Sequence, residues 1–265
     1  MGFAAERHEV APDLLCMRTL IANVCLVGRP GSRDWVLVDA GLAGSGPHIV
    51  AAAADRFGPD RPPEAIILTH RHFDHVGAVK ELADRWNVTV YAHPLELPYL
   101  TGEADYPPPD PTVGGGLMAL LPPAYPRSGI NLEGRVRLLP SDGAVPGLPD
   151  WRWVHTPGHT PGHISLFRNS DRVLIAGDAF TTVQQESALA VLFQEKGVHG
   201  PPAYFTTDWH AARASVRLLH QLSPSAVATG HGVPMCCDEL HSQLAELAAH
   251  FDQLALPDQG RYVHP

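Results

Sequence analysis

Lysine is nearly missing from this chain of 265 residues: Lys80 and Lys196 are the only two. Lys+Arg total 19 against 28 Asp+Glu, the formal net charge is −9, and no segment clusters basic side chains. Such a chain has little with which to follow a phosphate backbone, so no nucleic-acid partner is expected. Long apolar runs are missing as well, and nothing approaches the ~18 residues that cross a bilayer. The opening Met1-Gly2-Phe3-Ala4-Ala5-Glu6-Arg7-His8 has no apolar signal core, and Glu6 stands where a myristoylation signal needs Ser or Thr. Cysteine is sparse. Cys16, Cys25, Cys236 and Cys237 are too few in this length for a disulfide framework. Cys16 and Cys25 read as buried free thiols that could face each other across a hairpin. The adjacent Cys236 and Cys237 read as structural, with redox sensitivity as the alternative. The expectation is a cytoplasmic protein without membrane contact.

What is present is ordinary in bulk: a hydrophobic fraction of 45% and enough length for one large domain or two small ones. Strand-like and helix-like runs alternate. Trp35–Asp39, Ala65–Leu68, Val88–Tyr91, Arg135–Leu139, Trp151–Val154, Ile164–Phe167, Val173–Ala176 and Ala226–Ala228 read as strands. His48–Phe57, Val76–Trp86, a run from an Asp208 cap to about Leu222, and a final run capped by Asp238 read as helices. The pattern is an α/β class of stacked sheets with helices outside. The expected organisation is a single domain, 1–265, with an insertion at 94–131. That insertion holds Pro107-Pro108-Pro109 and Gly114-Gly115-Gly116 among apolar residues. It reads as a lid or pocket wall, with a homodimer contact or a satellite core as the alternatives.

Chemistry concentrates in four places. Directly after Ala65-Ile66-Ile67-Leu68 comes Thr69-His70-Arg71-His72-Phe73-Asp74-His75. Imidazole nitrogens and carboxylate oxygens are ligands for zinc, iron and manganese. Side chains two apart on an extended segment point the same way, so His70 and His72 can grip one ion. Asp74 and His75, at the turn into a helix, can face a second. The loop His155-Thr156-Pro157-Gly158-His159-Thr160-Pro161-Gly162-His163 carries a histidine at every fourth position. Asp178 and His231 each follow an apolar strand and sit beside glycine, which lets the backbone approach an ion.

These motifs, together with Val38-Asp39-Ala40-Gly41, occur in an order that resembles the metallo-β-lactamase-fold superfamily over most of the chain. The resemblance is nearer to the glyoxalase-II-like and lactonase-like members than to the antibiotic-degrading ones. It implies a four-layer αβ/βα sandwich with metals at one edge of the sheets. It further implies His70, His72 and His159 on a first metal, Asp74, His75 and His231 on a second, and Asp178 bridging both. Asp39 resembles the family's buried aspartate and reads as an orienting group. Two divalent ions, zinc first with iron or manganese as alternatives, would hold a bridging hydroxide near neutral pH. Asp74 could also take the water's proton, a catalytic role beside its ligand role. The implied activity is hydrolysis of an ester, thioester or lactone bond in a small molecule.

His155 and His163 read as supporting groups rather than ligands, and His93 as either a core or a pocket residue. The lactone-cleaving relatives carry a tyrosine three residues past the bridging aspartate; here Thr181 stands there. No basic C-terminal segment matches the one by which glyoxalase II members hold glutathione. Gln184, Gln185, Glu186, Phe193 and Tyr204 are pocket candidates. The rival readings are a mononuclear iron oxygenase acting on a persulfide or thiol, a nuclease of the same fold, and a non-enzymatic binding module.

Overall fold

The computed structural model describes residues 6–113, 130–132 and 134–263. The chain gathers into two compact units, Met1–Asp105 with Ser128–Arg152, and Tyr106–Arg127 with Trp153–Pro265.

The first unit is built on a sheet of seven strands. In spatial order these are β1 (Arg7–Ala11), β2 (Leu14–Thr19), β3 (Ala22–Val27), β4 (Val36–Val38), β5 (Ala65–Ile67), β6 (Thr89–Ala92) and β7 (Val136–Leu138). Neighbours from β1 to β4 are antiparallel, and those from β4 to β7 are parallel. Parallel strands need crossovers. Helix α1 (Gly46–Phe57) carries the chain from β4 to β5; α2 (Phe73–Val76) and α3 (Val79–Trp86) carry it from β5 to β6. Parallel strands covered on both faces read as unbroken apolar runs, and β4 and β5 are buried at every position. Helix α1 turns Ile49, Ala52, Ala53 and Phe57 inward, and α3 turns in Val79, Leu82 and Ala83. That spacing makes one apolar face on each helix. Both faces join Leu26, Leu37, Ile66 and Val90 in one core. Trp35 stacks on Phe57 at 4.4 Å and meets Trp86 edge-on at 5.6 Å.

A single helix over Val76–Trp86 is corrected to two. Gly77 donates its N–H to Gly41 O at 2.7 Å, and a Cβ on it would run into the backbone of Leu42 and Ala43. The chain bends there to keep that approach.

Short turns occupy part of the 94–131 stretch: 3-10 turns at Pro94–Glu96 and Pro111–Val113, and α4 at Leu97–Leu100. Residues 114–129 of the stretch lie outside the described residues. A hairpin of β8 (Ala144–Val145) and β9 (Leu148–His155) follows β7, and the chain enters the second unit within β9.

In the second unit β10 (Ile164–Arg168) lies between β9 and β11 (Val173–Gly177). Then come β12 (Ala226–Thr229), parallel to β11, and β13 (Met235–Cys236). Ser187 caps α5 (Ala188–Phe193), and Asp208 caps α6 (Trp209–Gln221) by accepting the Ala211 N–H at 2.9 Å. Helix α7 (Cys237–Ala249) starts on Cys236, so Asp238 lies in its first turn rather than at its cap; α8 (Phe251–Leu254) closes the chain's helices. Trp209, Ala212, Val216 and Leu219 of α6 pack with Leu240, Leu244 and Leu247 of α7 against Phe167, Leu174 and Val227. Among the described residues, no helix is long and apolar enough to cross a membrane.

Candidate metal centre

In the first unit the segment leaving β5 carries four buried polar side chains, His70, His72, Asp74 and His75. His72 is still extended, φ −62° and ψ 150°, and α2 begins after it. The His70 ring stands edge-on to His72 at 4.8 Å and tilted to His75 at 4.2 Å. Ligand atoms of His70 and His72, of His70 and His75, and of Asp74 and His75 fall within 4.8 Å of each other. His70 and His72 thus stand together in this unit, as do Asp74 and His75.

Asp39 organises this cluster from the end of the neighbouring strand. Strands β4 and β5 are parallel, so their C-terminal ends lie side by side, with Asp39 N donating to Ile67 O at 2.9 Å. The Asp39 carboxylate accepts the Thr69 N–H at 2.8 Å and the Thr69 hydroxyl at 2.7 Å, and lies 2.9 Å from His75 Nδ1. A carboxylate only accepts, so His75 carries its proton on Nδ1 and keeps a lone pair on Nε2. The Thr69 hydroxyl, having donated to Asp39, accepts from His70 Nδ1 at 3.0 Å. Both imidazoles are thereby set in the tautomer that coordinates through Nε2.

The second unit assembles His159, Asp178 and His231, all buried. Asp178 follows β11 and His231 follows β12, adjacent parallel strands whose ends are tied by Gly230 N to Gly177 O at 2.8 Å. Asp178 Oδ2 lies 3.1 Å from His231 Nε2 and 3.4 Å from His159 Nε2. His159 reaches this point because Gly158, at φ 132°, is pinned to the start of α6: its carbonyl accepts from Thr207 N and Asp208 N at 3.1 and 3.0 Å. The Thr206 hydroxyl donates to Pro202 O at 2.9 Å and so accepts from His159 Nδ1 at 3.3 Å. His159 Nε2 then turns its lone pair toward the carboxylate.

His163 sits behind Asp178. Its Nε2 accepts the Asp178 N–H at 2.8 Å, so the ring proton is on Nδ1. From there a relay runs to the Thr156 hydroxyl at 2.9 Å, to Ser165 Oγ at 3.0 Å and to Ala176 O at 2.9 Å. His155 Nε2 donates to Pro161 O at 2.8 Å. Both loop histidines are engaged in holding the backbone. His93 Nδ1 accepts the Leu95 N–H and caps a turn. The Thr181 hydroxyl donates to Val183 O at 2.9 Å, inside its own loop.

Of the pocket candidates, Gln185 and Tyr204 are buried, while Gln184 and Phe193 are exposed. Glu186 accepts the Ala203 N–H at 2.7 Å, and burial pushes its carboxyl up. The residues missed from sequence are the hydroxyls Thr69, Thr206, Thr156 and Ser165, and the buried Glu96, which accepts the Arg71 N–H at 2.9 Å. Thr69 directly precedes a ligand candidate and was open to discovery. Thr206 lies 47 residues from the imidazole it serves, and no local pattern marks it.

Residues 17–231 match the family model of the metallo-beta-lactamase superfamily. The chain is 49% identical over 241 residues to the probable metallo-hydrolase YflN of Bacillus subtilis (strain 168), covering 91% of each chain. It is 29% identical over 174 residues to the hydroxyacylglutathione hydrolase GloC of Haemophilus influenzae, covering 64% of this chain and 68% of that one. The solved structure of TTHA1623 in a di-iron-bound form superposes with a TM-score of 0.56 at 28% identity, over 86% of this chain and 96% of that one. The mixed α/β fold with two sheets agrees with these relatives.

Proposed function

The chain belongs to the metallo-β-lactamase superfamily, and on that premise we propose that it is a dinuclear metal-dependent hydrolase of an ester, thioester or lactone bond in a small molecule. In this reading His70, His72 and His159 hold one divalent ion, Asp74, His75 and His231 hold a second, and Asp178 serves both.

One observation carries the reading. His159 donates from Nδ1 to Thr206, yet its Nε2 faces Asp178 Oδ2 at 3.4 Å. Two buried acceptors so placed require a cation or a proton between them. An all-nitrogen and carboxylate donor set suits zinc, iron or manganese, with zinc the first choice. Two ions bound there would lower the pKa of a water toward about 7 and polarise the carbonyl under attack.

The chain's own residues do the rest. Asp39 and Thr69 hold His70 and His75 in one tautomer, and Thr206 does so for His159. His163 anchors the backbone of Asp178 through its N–H. In this reading Asp74 would take the proton of the attacking water. The names of the two relatives, metallo-hydrolase and hydroxyacylglutathione hydrolase, support the same reaction type.

The test is a panel of ester, thioester and lactone substrates run on the metal-loaded protein beside an oxygen electrode. Hydrolysis of at least one class without oxygen uptake is expected. Oxygen consumption on a persulfide or thiol, with no hydrolysis across the panel, would replace this reading with an oxygenase.

A further inference from the structure

Cys236 and Cys237 stand apart from every residue assigned above. Both are exposed, whereas Cys16 and Cys25, register partners across β2 and β3, are buried. Cys236 ends β13 opposite Ala226 and is the N-cap of the 13-residue α7. Cys237 adopts a left-handed backbone at φ 65°, and the two sulfurs come to one side, with Cys237 Sγ donating to Cys236 Sγ at 2.7 Å.

The two thiols are not equivalent. Cys237 Sγ is the donor and Cys236 Sγ the acceptor, and the bond to Cys236 pushes the Cys237 thiol up. Cys236, at the N-terminus of α7, is the acceptor of that bond and the sulfur that turns its lone pair to the pair's shared side. Nearby charges act on Cys237 in both directions: Asp238 raises its thiol further, and Lys196, paired with Glu239 at 2.8 Å, lowers it. Cys25 has the same kind of cysteine neighbour, but out of solvent. Its thiol is pushed well up by the bond to Cys16 and by burial.

We propose that Cys236 and Cys237 form an exchange site for low-molecular-weight disulfides that closes reversibly to a vicinal disulfide. Cys236 gives its proton to water, and its sulfur attacks one sulfur of the disulfide RSSR, forms a mixed disulfide and releases RS⁻. Cys237 then loses its proton to that thiolate or to water and attacks the Cys236 sulfur, expelling the second RS⁻. Two protein thiols are oxidised by two electrons, and one RSSR is reduced to two RSH. Adjacent Cα atoms are ~3.8 Å apart across a trans peptide, under the roughly 4.4–6.8 Å of an ordinary disulfide. The closed ring is therefore strained, and thiols reopen it readily.

The experiment exposes the metal-loaded full chain to oxidised glutathione, quenches with acid, alkylates, and weighs the peptide carrying both cysteines. The expected product is two hydrogens lighter, resists alkylation, and returns to the doubly alkylated form after dithiothreitol. Cys237→Ser should stop at a glutathione adduct on Cys236, and Cys236→Ser should slow adduct formation on the order of tenfold. Cys16 and Cys25, buried in the same molecule, should stay unmodified and serve as the internal control. A peptide alkylated at both positions after the same exposure would overturn the proposal. So would an adduct that accumulates on Cys237 in the unaltered chain.

Discussion

His75 Nδ1 lies 2.9 Å from Asp39 Oδ2, and this contact ties the α2 turn to the end of β4. The same carboxylate takes both donors of Thr69, and Thr69 in turn takes His70. Asp39 holds a left-handed backbone at φ 60° to do so, a conformation that costs about 1–2 kcal/mol for most L-residues and less for aspartate. One buried carboxylate thus sets the protonation of two imidazoles.

Asp39→Asn should therefore weaken metal binding without unfolding the chain. An amide can accept from Thr69 or His75 but places a donor against one of them, and the negative charge is lost. Metal affinity is expected to fall about 10–100-fold, the range for losing a group that orients a ligand histidine. Titration with a competing chelator reads it. Unchanged affinity would mean that His75 is oriented by something else.

Gly77→Ala should destabilise the first unit by roughly 1–3 kcal/mol, because the new Cβ meets backbone at Leu42 and Ala43 and not a side chain that can swing away. Gly44→Ala is the control, since its positive φ of 85° carries a backbone penalty but no atom lies within 4 Å. Urea midpoints should separate the two variants, with Gly77→Ala the lower. Equal midpoints would show that the 41–43 loop yields.

His163→Ala leaves the buried Asp178 N–H without its acceptor, a cost of about 1–3 kcal/mol. Both metals should stay bound and turnover should fall modestly. Loss of a whole metal equivalent would make His163 a ligand and His159 the supporting residue.

Arg168 bonds both oxygens of Asp171, at 2.8 and 2.6 Å, and holds that carboxyl below the usual carboxylate range. A depressed folded pKa stabilises the protein above the unfolded value of about 3.9, and the contribution is lost as pH falls through the folded one. Asp171→Asn should lower the unfolding free energy at neutral pH slightly, by less than about 1 kcal/mol because the side chain is 44% exposed, and urea titration reads it. In strong acid the variant and the parent should converge. A difference that persists there would assign it to packing.

How much of this was legible in the sequence depended on how local each cause is. His70 to His75, the 155–163 loop, Asp178 and His231 stood out because each follows an apolar strand or a glycine-rich turn. The parallel strands β4, β5, β11 and β12 were equally plain as apolar runs. Strands β1 to β3 carry no such mark: Leu14-Leu15-Cys16-Met17 is buried on both faces and shows no alternation. The break at Gly77 depends on a loop more than 30 residues earlier, and the bond from Thr206 to His159 on residues 47 apart. Contacts between distant segments leave no periodic trace.

The most direct test of the dinuclear reading is metal content per chain, by elemental mass spectrometry, in the unaltered protein and in Asp178→Ala. About two equivalents are expected in the first, as a two-metal site requires. Both should be weakened or lost in the second, together with turnover, because one shared carboxylate is removed. A single equivalent in the unaltered protein, or an Asp178→Ala variant that keeps full metal and full activity, would contradict the assignment.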